Sequence, residues 1–274
     1  MKCKKWLFIV ASAVLAVLLV VWLVWENTAL EGNTYVIQGQ IPPGVEGFVI
    51  AQVSDLHNTQ NSKLLPILRK AEPDMIAITG DMIDSRRTDL DVAIAFAHEA
   101  VQIAPCYYVP GNHESRIEEY AQFREAMIAA GVIVLENAKT RIQYNNEEVT
   151  LAGIQDPDFT DVVDEADWIS EQLSEILEPE DGFVILLSHR PEYLQTYAES
   201  EVDLVLSGHA HGGQIRLPFV GGVIAPNQGL FPDYDGGVYV QENTQMVVSR
   251  GVGNSVFPLR VNNRPEVVLI ELRK

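Results

Sequence analysis

Short apolar runs alternate with amphipathic stretches along most of the chain. Each apolar run has strand length and ends in a short polar loop, and the stretches between the runs place apolar residues at helical spacing. The pattern predicts strands at 48–53, 75–79, 107–109, 132–135, 183–187 and 202–206. It predicts helices at 62–70, 90–103, 117–130 and 161–177, with Gly131 as a left-handed C-terminal cap. This alternation is typical of an α/β protein.

A central hairpin and a strand-rich C-terminal tail are also predicted. A hairpin is expected from 141–144 and 149–154 around the turn Asn145-Asn146, and further strands at 238–241, 246–248 and 267–272. Near the N-terminus, 26–33 reads as a polar linker and 34–41 as an edge strand that ends at Pro42-Pro43-Gly44. We therefore predict three parts: a tail and anchor at 1–26, a linker with a leading strand at 27–47, and one domain at 48–274.

The segment from Trp6 to Trp25 contains no charged side chain. About 20 residues at 1.5 Å rise span about 30 Å, the thickness of the hydrocarbon core of a bilayer. Lysines flank only its N-terminal side, and Glu26 follows it, so the positive-inside rule predicts a cytoplasmic N-terminus and an extracytoplasmic domain. A cleaved signal peptide is the alternative, but Asn27-Thr28-Ala29 is a poor cleavage site. We predict an uncleaved, single-pass signal anchor in the cell membrane.

Charge and cysteine content exclude several classes of function. The formal net charge is −19 at pH 7, which argues against a nucleic-acid partner. Of the two cysteines, Cys3 precedes the apolar segment and Cys106 stands alone in the domain. Neither a disulfide within the domain nor a thiolate metal site is therefore expected.

Five of the six histidines lie in short motifs that also contain Asp, Asn, Ser or Gly. Each motif follows a predicted strand, and ligands of open α/β sheets bind at the carboxyl ends of strands. His98 is the exception, on a helical stretch and outside any motif. Together with Gly80-Asp81, the motifs are Ser54-Asp55-Leu56-His57, Gly111-Asn112-His113-Glu114, Ser188-His189 and Gly208-His209-Ala210-His211.

These residue types suit two neighbouring cations. Asp55 and His57 point to the same side of an extended chain and can bind one cation together. The carboxylate of Asp81 can bridge two cations with its two oxygens. Further oxygen and imidazole ligands are Asn112, His189, His209 and His211. A mixed imidazole and carboxylate set without thiolate suits Mn, Zn, Fe or Co.

The order of the motifs resembles that of the calcineurin-like metallophosphoesterases, over about residues 48–272. The stretches Gly212–Pro218 and Ser249–Ser255 are similar to a membrane-associated bacterial subgroup that includes UDP-2,3-diacylglucosamine hydrolase-like enzymes. The resemblance implies a four-layer αββα sandwich of two mixed β-sheets. It also implies one metal at Asp55, His57, Asp81 and His211, and a second at Asp81, Asn112, His189 and His209.

Two closely spaced cations would activate a bridging hydroxide as the nucleophile that attacks phosphorus. His113 is not a family ligand, and we predict that it assists the leaving group, oriented by a carboxylate such as Asp84. A turn role for Asp84 is equally open. Arg190, Arg216 and Arg250 are candidate phosphate ligands, with structural ion pairs as the alternative, which is favoured for Arg116.

The sequence thus predicts a phosphodiesterase- or phosphatase-type hydrolase of phosphoester or pyrophosphate bonds. A lipid-linked or envelope substrate of the UDP-2,3-diacylglucosamine kind is a further expectation, based on the resemblance and the anchor. A non-catalytic metal-binding scaffold of the same fold is the alternative. A metallo-β-lactamase-type hydrolase is excluded, since its His-x-His-x-Asp-His cluster is absent.

Overall fold

The computed structural model describes residues 2–39, 41–179, 181–254 and 258–274, so Ser255 of the second subgroup stretch lies outside the described residues. The helices are α1 (Lys2–Thr28), α2 (Leu64–Ala71), α3 (Leu90–Ala100), α4 (Tyr120–Ala130), α5 (Glu165–Ile176) and α6 (Leu194–Glu199). The strands of the first half are β1 (Glu31–Gln38), β2 (Val49–Val53), β3 (Met75–Thr79), β4 (Cys106–Val109), β5 (Ile133–Val134), β6 (Ala138–Tyr144) and β7 (Glu147–Ile154). Those of the second half are β8 (Val184–Ser188), β9 (Leu204–Ser207), β10 (Arg216–Leu217), β11 (Gly221–Gly222), β12 (Ile224–Ala225), β13 (Gly229–Leu230), β14 (Gly237–Gln241), β15 (Thr244–Val248) and β16 (Glu266–Arg273).

Two six-stranded mixed sheets form the body of the domain. The first has the order β1-β16-β2-β3-β4-β5 and the second the order β14-β15-β9-β8-β7-β6. Strands β2 to β5 are parallel, and β16 runs antiparallel to β2. In the second sheet β7, β8 and β9 are parallel. The carboxyl ends of β2, β3 and β4 therefore share one edge, as do those of β8 and β9.

Three apolar cores separate four layers. Side chains such as Ile50, Ile185 and Leu206 fill the space between the sheets. The outer face of the first sheet packs on α2, α3 and α4, and the outer face of the second on α5 and α6. Strands covered on both faces are apolar at most positions, which is why these runs do not alternate. The predicted αββα sandwich of two mixed sheets is confirmed.

The structure differs from the sequence prediction in three segments. The predicted linker at 26–33 is instead the last turn of α1 and the start of β1, with buried Glu26 facing Arg264 at 3.4 Å. Helix α6 and the hairpins β10–β11 and β12–β13 were not predicted, because none is long enough to show a period in the sequence. The predicted cap is present: Gly131 ends α4 with φ of 100°.

Helix α1 contains the predicted anchor segment and contacts the domain at its C-terminal end. By length and composition, Lys4–Thr28 could cross a membrane, and its apolar window is wholly exposed. At the end of the helix, Asn27 donates to the Arg260 carbonyl at 3.0 Å and accepts from the Arg260 N–H at 2.7 Å. The Arg264 guanidinium lies 3.6 Å above the Trp25 ring. These contacts join the foot of α1 to the segment that precedes β16.

Candidate metal centre

The polar motifs converge where the two sheets meet. Asp55 and His57 follow β2, Asp81 follows β3, and Asn112 and His113 follow β4. His189 follows β8 in the second sheet, and its Nδ1 lies 2.8 Å from the Thr79 carbonyl of β3. The carboxyl ends of parallel strands from both sheets therefore share one buried site.

One group of ligands consists of Asp55, His57, Asp81 and His211. All four are buried, and the chosen ligand atoms lie within 4.8 Å of one another. The Nε2 atoms of His57 and His211 are 3.1 Å apart, and His211 Nε2 is 3.3 Å from Asp55 Oδ1. His57 Nε2 lies 3.6 Å from Asp81 Oδ2. This is the set that the family resemblance assigns to the first metal.

A second group shares Asp81 with the first and adds His189 and His209. His189 Nε2 lies 3.3 Å from Asp81 Oδ2 and 3.1 Å from His209 Nδ1. The carboxamide of Asn112 completes the group, 2.9 Å from His209 Nδ1 and 3.2 Å from His189 Nε2. The described side chains thus bring together all seven predicted ligands.

Asp81 joins the two groups through one oxygen. Its Oδ2 faces both His57 and His189, whereas its Oδ1 accepts the backbone N–H of His113 at 2.8 Å. Both ligand groups therefore face the same oxygen of Asp81. Bridging of two cations by this carboxylate stays a prediction.

The chemistry of the donor set fits two divalent cations. Imidazole nitrogens face one another and carboxylate oxygens at 3.1–3.6 Å, among buried side chains. Lone pairs brought together in this way repel unless protons or cations lie between them. A buried set of imidazole and carboxylate groups without thiolate is the environment of a dinuclear divalent centre.

The protonation of this cluster is shifted by burial and by its own charges. Burial raises the pKa of Asp55 to about 6, and nearby Asp81 adds to the effect. Burial also lowers the pKa of His57 to about 4. Burial opposes charge on His189 too, but the adjacent Asp81 carboxylate reverses the effect and raises the pKa of His189 to about 10. Burial would raise the pKa of Asp81, but the surrounding histidines, His189 first, hold the pKa of this shared carboxylate well below its usual range.

The ligand loops have unusual backbone conformations. Asp55, His57, Asp81, His209 and His211 all have φ between 45° and 66°, the left-handed region that non-glycine residues rarely adopt. Such residues persist only where the surrounding contacts fix them, and they are typical of functional sites. A Cβ atom at Gly80 would come within 2.6 Å of His189 Nδ1, and one at Gly208 within 1.9 Å of Ser54 Oγ.

Glu114 fixes the loops after β3 and β4. It is fully buried, and its carboxylate accepts the backbone N–H groups of Asp81 at 2.9 Å, Gly111 at 2.7 Å and Ile83 at 3.0 Å. Glu114 belongs to the motif Gly111-Asn112-His113-Glu114, and nothing in the local sequence indicates this role. Its three contacts hold two ligand-bearing loops at a fixed separation.

We expect Glu114→Gln to weaken metal binding by about 10–100-fold, the usual cost of disturbing a group that orients ligands. The free energy of unfolding should fall by about 1–3 kcal/mol, because an amide NH2 group would face a buried N–H group. Metal titration and thermal unfolding measure the two effects. Glu118→Gln, an exposed neighbour, is the matched control. Unchanged metal affinity in Glu114→Gln would contradict this role.

His113 lies beside the two groups without belonging to either. Its Nδ1 accepts the Ser85 backbone N–H at 3.1 Å, and its Nε2 lies 4.0 Å from Asp81 Oδ2. An Nδ1 that accepts a hydrogen bond leaves the proton of the neutral ring on Nε2. Asp84 lies 3.8 Å from Nδ1 and binds Arg86 through two hydrogen bonds at 2.8 and 3.0 Å. Ser85, rather than Asp84 alone, therefore orients the ring.

The three candidate phosphate-binding arginines are paired with carboxylates. Arg190 is buried and binds Asp156 through two hydrogen bonds at 2.6 and 2.7 Å. Arg216 lies 3.1 Å from Asp235, and Arg250 lies 2.7 Å from Glu266. Their role as phosphate ligands stays a prediction, and each has a structural partner in the fold.

Arg116 pairs with Asp158 at 2.6 Å, and its guanidinium also lies 3.1 Å from the Asn112 carboxamide. The structural ion pair predicted for Arg116 is therefore present, and it contacts the candidate ligand Asn112.

Other neighbours of the ligands come from segments without a motif. Asn227 Oδ1 lies 3.1 Å from His209 Nε2, and Arg260 lies 3.4 Å from His211 Nδ1. A cavity of about 560 Å³ opens beside His57 and is also lined by Arg86 and Arg87. Within the described part of the chain, the Arg87 guanidinium has no carboxylate at ion-pair distance. In the sequence, the only sign of this cavity is the pair of positive charges at Arg86 and Arg87, close to Asp84.

Comparison with known proteins gives a consistent result. A family model described as calcineurin-like phosphoesterase matches residues 48–213. The chain is 31% identical over 272 residues to the uncharacterized metallophosphoesterase YkuE of Bacillus subtilis, covering 90% of this chain and 87% of that protein. It is 28% identical over 243 residues to the phosphodiesterase YaeI of Escherichia coli, covering 82% of each.

Among solved structures, TT1561 of Thermus thermophilus matches with a TM-score of 0.50 and 15% identity, covering 74% of this chain and 88% of that chain. At this identity the match shows a shared fold.

Proposed function

Because the chain belongs to the calcineurin-like phosphoesterase family and is a hydrolase, we propose that it is anchored in the cell membrane and cleaves phosphoester or pyrophosphate bonds of a lipid-linked or envelope substrate. The observation that carries the catalytic part is the position of Asp81. Its Oδ2 lies 3.6 Å from His57 Nε2 and 3.3 Å from His189 Nε2, so one buried carboxylate serves both ligand groups. A site built in this way holds two divalent cations side by side.

When bound, two such cations supply Lewis acidity toward the phosphoryl oxygens and an activated water. The chain's own residues do the rest. Asp55, His57 and His211 hold one side of the site, and Asn112 with two histidines holds the other. The Nε2–H of His113 is directed toward the ligand groups, 4.0 Å from Asp81 Oδ2. From this position it donates a hydrogen bond or a proton to the departing oxygen.

The cavity beside His57 is the proposed substrate cleft. Arg87 is exposed at its wall without a carboxylate partner among the described residues, so its guanidinium is available to a phosphate. Asp84 and Arg86 neutralise each other at the same wall. The three arginines predicted from the sequence are less available, because each is already paired.

The membrane anchor is supported by α1 and its flanks. Lysines precede the apolar segment and Glu26 follows it, which favours an extracytoplasmic domain. The contacts of Asn27 and Trp25 hold the foot of α1 against the domain, so the domain is kept close to the membrane surface. A substrate that resides in the membrane or envelope is accessible from this position.

The test is a metal-dependent assay of the full chain in detergent. The protein is stripped with a chelator, reloaded with Mn, Zn, Co or Fe, and assayed with aryl phosphate mono- and diesters and with a lipid-linked pyrophosphate. We expect two equivalents of metal, hydrolysis only after reloading, and a thermal unfolding midpoint that falls on stripping, because bound metal stabilises the folded state. A full metal complement with no hydrolysis of any of these esters would instead support the non-catalytic scaffold.

A further inference from the structure

The metal centre and the foot of α1 lie at the same edge of the first sheet. Strand β16 runs antiparallel to β2, with Val268 opposite Gln52 near the carboxyl end of β2. Strand β1 runs parallel to β16, with Glu31 opposite Glu266. The start of β1, where α1 joins, is therefore beside the end of β2 that leads into Asp55. The ligand-bearing edge lies on the side of the domain from which α1 departs.

An uncharged, exposed apolar surface extends from this edge. Residues 217–232 contain no charged side chain, although charged residues make up 21% of the chain. Phe219 is fully exposed (109%), and Leu230 (68%) and Phe231 (59%) are largely exposed. We call residues 217–231 the hairpin surface; its exposed large apolar side chains are Leu217, Phe219, Val220, Ile224, Leu230 and Phe231. Exposed apolar side chains grouped in this way mark an interaction site.

Residues of the hairpin surface and the residue that precedes it contact the metal centre and the segment that holds the foot of α1. At one end, the backbone N–H of Arg216 donates to the Val261 carbonyl at 2.9 Å. The neighbouring Arg260 donates its backbone N–H to the Asn27 side chain and accepts a hydrogen bond from it at its carbonyl. In the middle, Asn227 Oδ1 lies 3.1 Å from His209 Nε2. The surface is thus continuous with the proposed anchor and reaches a candidate ligand.

We propose that the hairpin surface docks on the bilayer in which α1 is anchored, so that the metal centre takes phosphoesters of membrane amphiphiles at the level of their headgroups. The inference rests on the anchoring proposed above. Apolar and aromatic side chains enter a bilayer to a depth of about 5–10 Å. An acidic domain is repelled by anionic headgroups, and a surface without carboxylates is the part that can approach them. The bilayer is therefore the occupant that both the charge and the position of this surface favour.

The experiment uses the full chain with Cys3→Ser, reconstituted into vesicles of phosphatidylethanolamine and phosphatidylglycerol. Phe219→Cys and Leu230→Cys are each labelled with an environment-sensitive fluorophore, and lipids with a nitroxide on the acyl chain serve as quenchers. Cys106 stays unlabelled, since it is buried and burial raises the pKa of its thiol to about 12.

Gln143→Cys is the matched control. It is an exposed position of β6, whose neighbour Tyr144 packs on Phe48 with ring centroids 4.9 Å apart. Phe48 precedes β2, so the control label lies at the opposite end of the strands from Asp55. A label there reports on the aqueous face of the domain.

We expect the labels at 219 and 230 to shift to the blue and to lose most of their emission to the lipid quencher, while the label at 143 does neither. Labels at 219 and 230 that emit as in water, in protein that co-floats with the vesicles, would overturn the inference. A blue-shifted label that resists the lipid quencher would also overturn it, because a protein partner or a second copy would then cover the surface. Flotation tests the anchor separately, and hydrolysis of soluble aryl esters tests the catalytic proposal.

Discussion

Asp81→Asn is expected to bind neither of the two cations fully and to lose phosphoester hydrolysis. The substitution keeps the shape of the side chain but removes the negative charge from the one oxygen that faces both His57 and His189. An amide in that position also brings an NH2 group toward imidazole nitrogens or toward the His113 N–H that Oδ1 accepts. Lewis-acid stabilisation amounts to several kcal/mol, so a loss of roughly 10³-fold or more in kcat/KM is expected.

Metal content by elemental analysis and turnover of an aryl phosphate diester measure the two effects of Asp81→Asn together. Asp161→Asn is the matched control, since that carboxylate is exposed and belongs to neither ligand group. The proposal predicts that activity and metal are lost in parallel. An Asp81→Asn protein that holds two equivalents of metal with the affinity of the parent would show that this residue does not join the two groups.

His113→Asn should separate turnover from metal binding. The His113 ring lies outside both ligand groups, its Nδ1 is occupied by the Ser85 N–H, and only its Nε2 is directed toward the site. Removing a general acid of this kind typically costs about 10²–10⁴-fold in rate. Both metals should remain, and KM should change less than kcat, because the group acts on the departing oxygen.

The identity of the leaving group provides a sharper test of His113. An aryl phosphate releases a weakly basic phenolate, whereas an alkyl ester releases a strongly basic alkoxide that needs the proton more. The His113→Asn defect should therefore be larger for alkyl than for aryl esters. His98→Asn, at an exposed helical position, is the control. An equal defect on both esters, or loss of metal, would assign His113 to structure or ligation instead.

Most of the fold could be predicted because each buried strand and each long helix has its own local signal. The runs into Asp55, Asp81 and His189 are apolar on both faces, and the motif that follows each run marks where the strand ends. The seven candidate ligands could be predicted for the same reason: each lies one to four residues beyond a strand. Their convergence is a consequence of parallel strands sharing an edge.

The missing parts depend on pairs that are distant in the sequence. Asp156 binds Arg190 in the fold, and nothing in the local sequence indicates that this arginine is already neutralised. Arg260 and Asn227 come from irregular segments without a period or a motif, so only the folded chain brings them to the ligands. The same applies to Asp81, whose Oδ1 accepts the backbone N–H of His113, so that Oδ2 is the oxygen that faces both ligand groups.

The position of β16 has a consequence for the order in which the protein can mature. This strand lies between β1 and β2, so the first sheet joins a segment near residue 31 to one near residue 270. Until residues 266–273 have been synthesised, β2 lacks its antiparallel neighbour and β1 lacks the strand with which it pairs among the described residues. Pairing of such remote segments is slow and leaves apolar edges exposed meanwhile. Synthesis of β16 therefore has to be completed before the first sheet closes, and chaperones would meet the domain while it is still open.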